Sequence, residues 1–227
     1  MSSIAVDRRA GRTARFYQTT IGKKIVMAVT GVLLFGFVVS HLLGNLQFYL
    51  GRETMNHYAV TLRSLPELLW PARAVLLLAV ILHITASIQL TAVKNAARPI
   101  GYVKKSTVQA SLASRTMMWS GPIVLVFLIF HLLHLTFGVV HPAYQDVHPY
   151  ENMVVGFRVI PVAIFYVIAV SMLGLHLYHG VWSMFQTVGV NHPRYTPLLR
   201  KFAAYASILL VLGFISIPIA VVTGVMS

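Results

Sequence analysis

The 227-residue chain is 57% hydrophobic and 10% charged, carries a formal net charge of +13, and contains no cysteine. Soluble domains average about 25% charged residues, so water is the wrong solvent for most of this surface. The missing cysteines exclude disulfides, iron–sulfur ligation and thiolate chemistry within the chain, and the basic residues punctuate apolar runs instead of forming one face, a membrane-topology pattern that carries no expectation of nucleic acid as a partner.

Residues 1–24 form a basic, polar N-terminal segment. It is far longer than the n-region of a secretory signal, and no cleavage site follows the first apolar run, so the first span is expected to be retained. Residues 25–227 read as one domain of five membrane spans. A spanning helix needs about 20 mostly apolar residues, and five stretches qualify: Ile25–Phe48, Pro71–Val93, Met117–Val140, Val159–Phe185 and Phe202–Val225. The fold class is therefore an all-α integral membrane five-helix bundle in a lipid bilayer. Pro71, Pro122 and Pro161 are expected in first turns, where a missing N–H costs nothing, whereas Pro218 falls inside the last span.

Fourteen of the eighteen basic residues lie on one side of these spans. They are Arg8, Arg9, Arg12, Arg15, Lys23 and Lys24 in the N-terminal segment; Lys94, Arg98, Lys104, Lys105 and Arg115 in the second loop; and Arg194, Arg200 and Lys201 in the fourth. The opposite side holds Arg52, Arg63, Arg73 and Arg158, with four of the five carboxylates. The positive-inside rule then puts the N-terminus in the cytoplasm and the C-terminus outside.

Ionisable residues within membrane spans are costly and read as functional by default. The first four spans contain them as histidines: His41; His83; His131 and His134; His176 and His179. The fifth span has none. A lone histidine in an apolar segment is often only a structural hydrogen bond to a neighbouring helix, a reading that weakens when four consecutive spans each carry one.

Depth tests whether they pair. At ~1.5 Å per residue, His41 lies ~24 Å and His131 ~21 Å from the cytoplasmic start of their spans, in the outer half of a core ~30 Å thick. The second and fourth spans run the other way, and His83 and His176 fall at or inside the middle. Two imidazoles on facing helices at one depth are what a bis-histidine haem requires, and a four-helix core offers that geometry twice. With both axial positions filled by protein, electron transfer is favoured over oxygen chemistry. Zinc would instead gather its histidines at one level. Spacing does not choose within His131/His134 or His176/His179, each an i, i+3 pair. Gly31, Gly36, Ser40, Gly44, Ser87, Gly121, Ser171, Gly174 and Gly180 suit either close helix packing or a flat macrocycle.

The run IGKKIVMAVTGVLLFGFVVSHLLGN (Ile21–Asn45) resembles the first helix of the cytochrome b558-type membrane subunit of succinate:quinone oxidoreductases and fumarate reductases. RTMMWSGPIVLVFLIFH, ending at His131, resembles that family's third helix, and LHLYHGVWSMFQTVGVNHPRY (Leu175–Tyr195) its fourth helix and following loop. The likeness runs from about Phe16 to the C-terminus. It implies two haem b groups, with His41 and His131 on the outer iron and His83 and His176 on the inner. A glycine stands ten residues before the first and third ligands of the family, as Gly31 and Gly121 do here, which favours His131 over His134. Val188-Gly189 similarly favours His176 over His179.

The resemblance further implies a bacterial cytoplasmic membrane, soluble flavoprotein and iron–sulfur partner subunits, and electron exchange with a membrane quinone, expected to be menaquinone. The chain itself would hold no dicarboxylate site and would not be an enzyme alone. Near the outer haem, His57, Arg63, Glu67 and Trp70 are the leading quinone-site candidates, with His141 and His148 beside them. Some members carry an acidic residue two positions before the fourth ligand. Here that position is Gly174, so a proton route through it is not expected. A glutamate at the entry to helix two is also unmatched, Arg63 standing near its place and Glu67 close by.

Overall fold

The structure, a computed structural model, describes residues 16–97 and 112–227. Arg8, Arg9, Arg12, Arg15, Arg98, Lys104 and Lys105, which enter the charge count above, lie outside the described residues. Within them the chain is helical, with no strand, and five helices are long and apolar enough to cross a membrane.

The first membrane helix, α1 (Thr20–Asn45), starts five residues earlier than its apolar run. Thr19 is its N-cap and accepts from Gly22 N–H at 2.9 Å, while Lys23 Nζ donates to the Tyr17 and Gln18 carbonyls. A 3₁₀ segment, Leu46–Leu50, continues it to Gly51, whose φ of +97° breaks the helix and turns the chain. There follow α2 (Arg52–Arg63), α3 (Pro66–Ala96), α4 (Leu112–His131), α5 (Pro149–Arg158), α6 (Ile160–Thr187) and α7 (Thr196–Val222).

Three sequence expectations need correction. Pro66, not Pro71, occupies the start of α3, leaving Pro71 inside the helix. Pro122 likewise lies inside α4, because that helix begins five residues before its apolar run. The third span also stops short of Val140: α4 ends at His131, passes through a π-helical turn over Leu132–Thr136, and leaves helical geometry at Phe137. The cause is Gly138, at φ +71°, where any Cβ would run into the Tyr144 ring. Pro161 does open α6, and Pro218 does lie inside α7.

The short helices α2 and α5 were not anticipated, since a search for 20-residue apolar runs passes over amphipathic segments of this length. Together with the loops they form a cap at one end of the bundle, where the C-terminus also lies: Tyr150 Oη donates to the Ser227 carbonyl at 3.3 Å. Arg52 pairs with Glu151 at 2.9 Å, Asn56 Nδ2 donates to the same carboxylate at 2.8 Å, and Asn56 Oδ1 accepts from Tyr150 N–H. Arg63 forms a bidentate pair with Asp146, joining the end of α2 to the loop before α5. Beneath this polar lattice sits the apolar core of Phe48, Met55, Tyr150, Met153, Val154, Phe157, Ala163, Tyr166, Ile217 and Val221.

Away from the cap the bundle is looser. Close backbone packing joins α1 to α3, α6 and α7, and joins α6 to α4 and α7. The diagonal partners, α1 with α4 and α3 with α6, are not among these close-packed pairs, and their side chains meet across the space between them.

Candidate functional site

Both diagonals are occupied by histidines. His41 of α1 faces His131 at the end of α4, with ring centroids 5.8 Å apart and planes at 83°. His83 of α3 faces His176 of α6 at 6.3 Å and 60°. Two imidazoles bound to one metal ion would have centroids on the order of 6 Å apart, the sum of two ~2.0 Å metal–nitrogen bonds and two ring radii. Both pairs are near that separation. Among the described residues no three His, Asp or Glu side chains converge as a protein-only metal cage requires. Each site thus offers two imidazoles, the number that suffices when a macrocycle supplies the remaining donors.

The neighbours of each ring were set by its helix. Thr30, nearly three turns into α1, is 4% exposed, and its hydroxyl donates to the Val26 carbonyl at 2.8 Å. Its oxygen is left to accept from His83 Nδ1–H at 3.1 Å. That hydrogen bond fixes the tautomer and leaves Nε2 with the lone pair a metal needs. Gly31, next in the helix, faces the same ring, and a Cβ there would make ordinary contact with His83 Cε1 at 3.6 Å. Across the gap His176 Nδ1 is buried without a partner. Such an orphan costs about 1–3 kcal/mol unless a bound group or water relieves it. His41 stacks on Phe37 (5.2 Å, 16°) and touches Phe214, while His131 leans on Phe127.

The i, i+3 neighbours have different surroundings. His134 is fully buried, stacked on Phe130 and packed against Tyr166, Phe157 and His141. The Gly156 backbone closes its remaining side, because an added Cβ there would lie 2.7 Å from His134 Cε1. No space for a macrocycle adjoins that ring. His141 is held on both nitrogens: Nδ1 accepts from Ala143 N–H at 3.1 Å, and Nε2–H donates to the Asn152 carbonyl at 2.9 Å. His179 is half-buried, one turn along α6 from His176.

The small residues of the spans divide by what they face. Gly44 packs on Tyr58 and Gly174 on Val211, which is ordinary helix packing. A Cβ at Gly36, Gly121 or Gly180 would meet nothing within 4 Å.

The four quinone-site candidates are not brought together. His57 lines an open groove of about 620 Å³ with Gln47, Glu53, Thr54, Tyr58 and Thr61. Arg63 is engaged by Asp146, whose hydrogen bond raises the guanidinium's pKa and holds the carboxyl below the usual carboxylate range. Glu67 lies exposed in the first turn of α3, and Trp70 is 64% exposed beneath the Arg73 guanidinium. His148 donates from Nδ1 to the Asp146 carbonyl and stays exposed.

Sequence reasoning missed Thr30 and Tyr166. Both are buried polar side chains within apolar spans, and extending the test for intramembrane ionisable groups to hydroxyls would have found them. No family model, curated protein or solved structure matches this chain.

Proposed function

We propose that this chain is the membrane-anchoring, dihaem cytochrome b subunit of a succinate:quinone oxidoreductase, carrying electrons between an iron–sulfur partner subunit and a membrane quinone. The observation that carries the reading is the pair of facing histidines on each diagonal, 5.8 and 6.3 Å apart, at two depths of one bundle. A haem-free anchor has no use for four half-buried imidazoles arranged in this way. His41 and His131 would hold one haem b, and His83 and His176 the other. Haem b held in this way by the protein's own histidines would supply one-electron exchange.

The protein's own residues hold and insulate. Thr30 orients His83, aromatic rings brace His41 and His131, and lipid-facing apolar side chains keep water from the path. The succinate:quinone assignment rests on the resemblance of Ile21–Asn45, Arg115–His131 and Leu175–Tyr195. A flavoprotein and the iron–sulfur subunit would dock on the basic face in the cytoplasm, with the capped end facing outward from a bacterial cytoplasmic membrane. The groove holding His57 and Glu53, at the capped end, is the quinone position this arrangement favours, with menaquinone the expected species.

The test is to purify the chain from its native membrane with whatever subunits accompany it and add succinate under anaerobic conditions. Reduction of b-type absorbance, reversed by an oxidised quinone, is expected. A haem-containing complex that succinate or fumarate leaves unchanged would refute the assignment to this oxidoreductase.

A further inference from the structure

Tyr166 stands in α6 ten residues before His176, only 5% exposed, with a single hydroxyl set between two imidazoles. Oη lies 3.0 Å from His134 Nδ1 and 3.4 Å from His131 Nδ1. The ring is held by Phe127, Phe130 and Phe157. A hydroxyl has one hydrogen, so it donates to one of these nitrogens and can accept from the other. Which way it runs follows from chemistry. A histidine that gives Nε2 to a metal carries its hydrogen on Nδ1. His131 then donates to Tyr166 Oη, and the hydroxyl donates onward to His134 Nδ1. The remaining hydrogen of His134 is on Nε2, the atom buried without a partner beside Gly156.

We propose that Tyr166 is the positioning residue of the outer haem, its oxygen accepting from His131 Nδ1–H while His134 orients the hydroxyl from behind. The inference rests on the haem reading above. It also gives His134 a task that needs no iron: a fully buried imidazole that cannot reach a macrocycle still fixes the direction of the neighbouring hydroxyl. On the other diagonal, the Thr30 hydroxyl stands to His83 as Tyr166 does to His131. Hydrogen bonding at Nδ1–H makes the opposite nitrogen a stronger donor, which stabilises the oxidised iron more than the reduced.

The experiment is a redox titration of purified Tyr166→Phe with its accompanying subunits, followed by optical and low-spin ferric electron paramagnetic resonance spectra. A His83→Ala variant identifies the outer haem's signal. Expected are two retained haems and an outer-haem potential raised by about threefold to tenfold in the reduced-to-oxidised ratio, which is ~30–59 mV at ~59 mV per decade for one electron. The inner haem's potential stays unmoved. Two haems with both potentials at wild-type values overturn the inference and leave the haem reading standing, whereas a wild-type preparation without haem overturns the haem reading itself. Should Tyr166→Phe fail to accumulate, His134→Leu, which offers the Tyr166 hydroxyl no acceptor, is titrated in the same way. An upward shift confined to the outer haem supports the relay, and an unmoved outer haem overturns it.

Discussion

Gly156→Ala tests the packing on which the cap-side histidines depend. Gly156 is in α5, and a methyl group there would lie 2.7 Å from His134 Cε1, 2.9 Å from His134 Nε2 and 3.1 Å from His141 Nε2. Neither ring is the free end of a flexible side chain. His134 is stacked on Phe130 and held by the Tyr166 hydroxyl, and His141 is hydrogen-bonded through both nitrogens. Two effects oppose each other. Alanine improves helix propensity by about 1 kcal/mol over glycine, whereas forcing a methylene-sized group into a packed core costs typically 1–3 kcal/mol. With both neighbours pinned the upper part of that range applies, for a net loss of about 1–2 kcal/mol. The assay is equilibrium unfolding by SDS titration in mixed micelles, followed by far-ultraviolet circular dichroism. A variant at least as stable as the wild type would mean that propensity alone acts, and would refute the close packing of Gly156 on His134.

Replacing His41 or His131 by Ala should remove one haem equivalent, and replacing His83 or His176 should remove the other. His134→Ala and His179→Ala should keep both, and loss of a full equivalent from either would refute the ligand set. Thr30→Val preserves shape but leaves His83 Nδ1–H without its acceptor, so the inner haem's potential should rise by up to about tenfold in the reduced-to-oxidised ratio, ~59 mV. An unmoved inner potential would contradict the role given to Thr30. Arg63 lowers the Asp146 pKa mainly through their hydrogen bond, so the pair stabilises the folded state above the ordinary carboxylate value of about 3.9 and this contribution is lost as pH falls through the lower folded-state value. Asp146→Asn should therefore be slightly less stable than wild type at pH 7, with the difference closing toward pH 3. The pair is exposed and its effect small, so a constant difference across that range would assign the loss to something other than charge.

Much of the fold could be read from the chain because lipid imposes one rule: a span must be long, apolar and helical. That rule finds α1, α3, α4, α6 and α7, and misplaces their ends wherever the cause is local. Thr19 and Tyr195 begin α1 and α7 before the apolar runs begin, and Gly138 ends the third span before its run is over. The rule gives no access to α2 and α5, whose stability comes from the Arg52–Glu151–Asn56 lattice and the apolar core beneath it, contacts distant in sequence. At the site, which spans pair on each diagonal was readable from depth, since helix rise converts residue counts into distance, but the choice within His131/His134 and His176/His179 was not. The surroundings of His134 were not, because Gly156, His141 and Tyr166 reach it from three other segments. Nor could spacing foresee that Arg63 would be taken up by Asp146, which leaves the quinone candidates scattered.

The central claim is that four histidines hold two haems, and the most direct measurement is the haem content of the purified protein by pyridine-haemochrome spectroscopy against polypeptide concentration. The account predicts two b-type haems per chain. One haem would leave one diagonal as ordinary packing and break the proposed electron path, and none would contradict the cytochrome reading altogether.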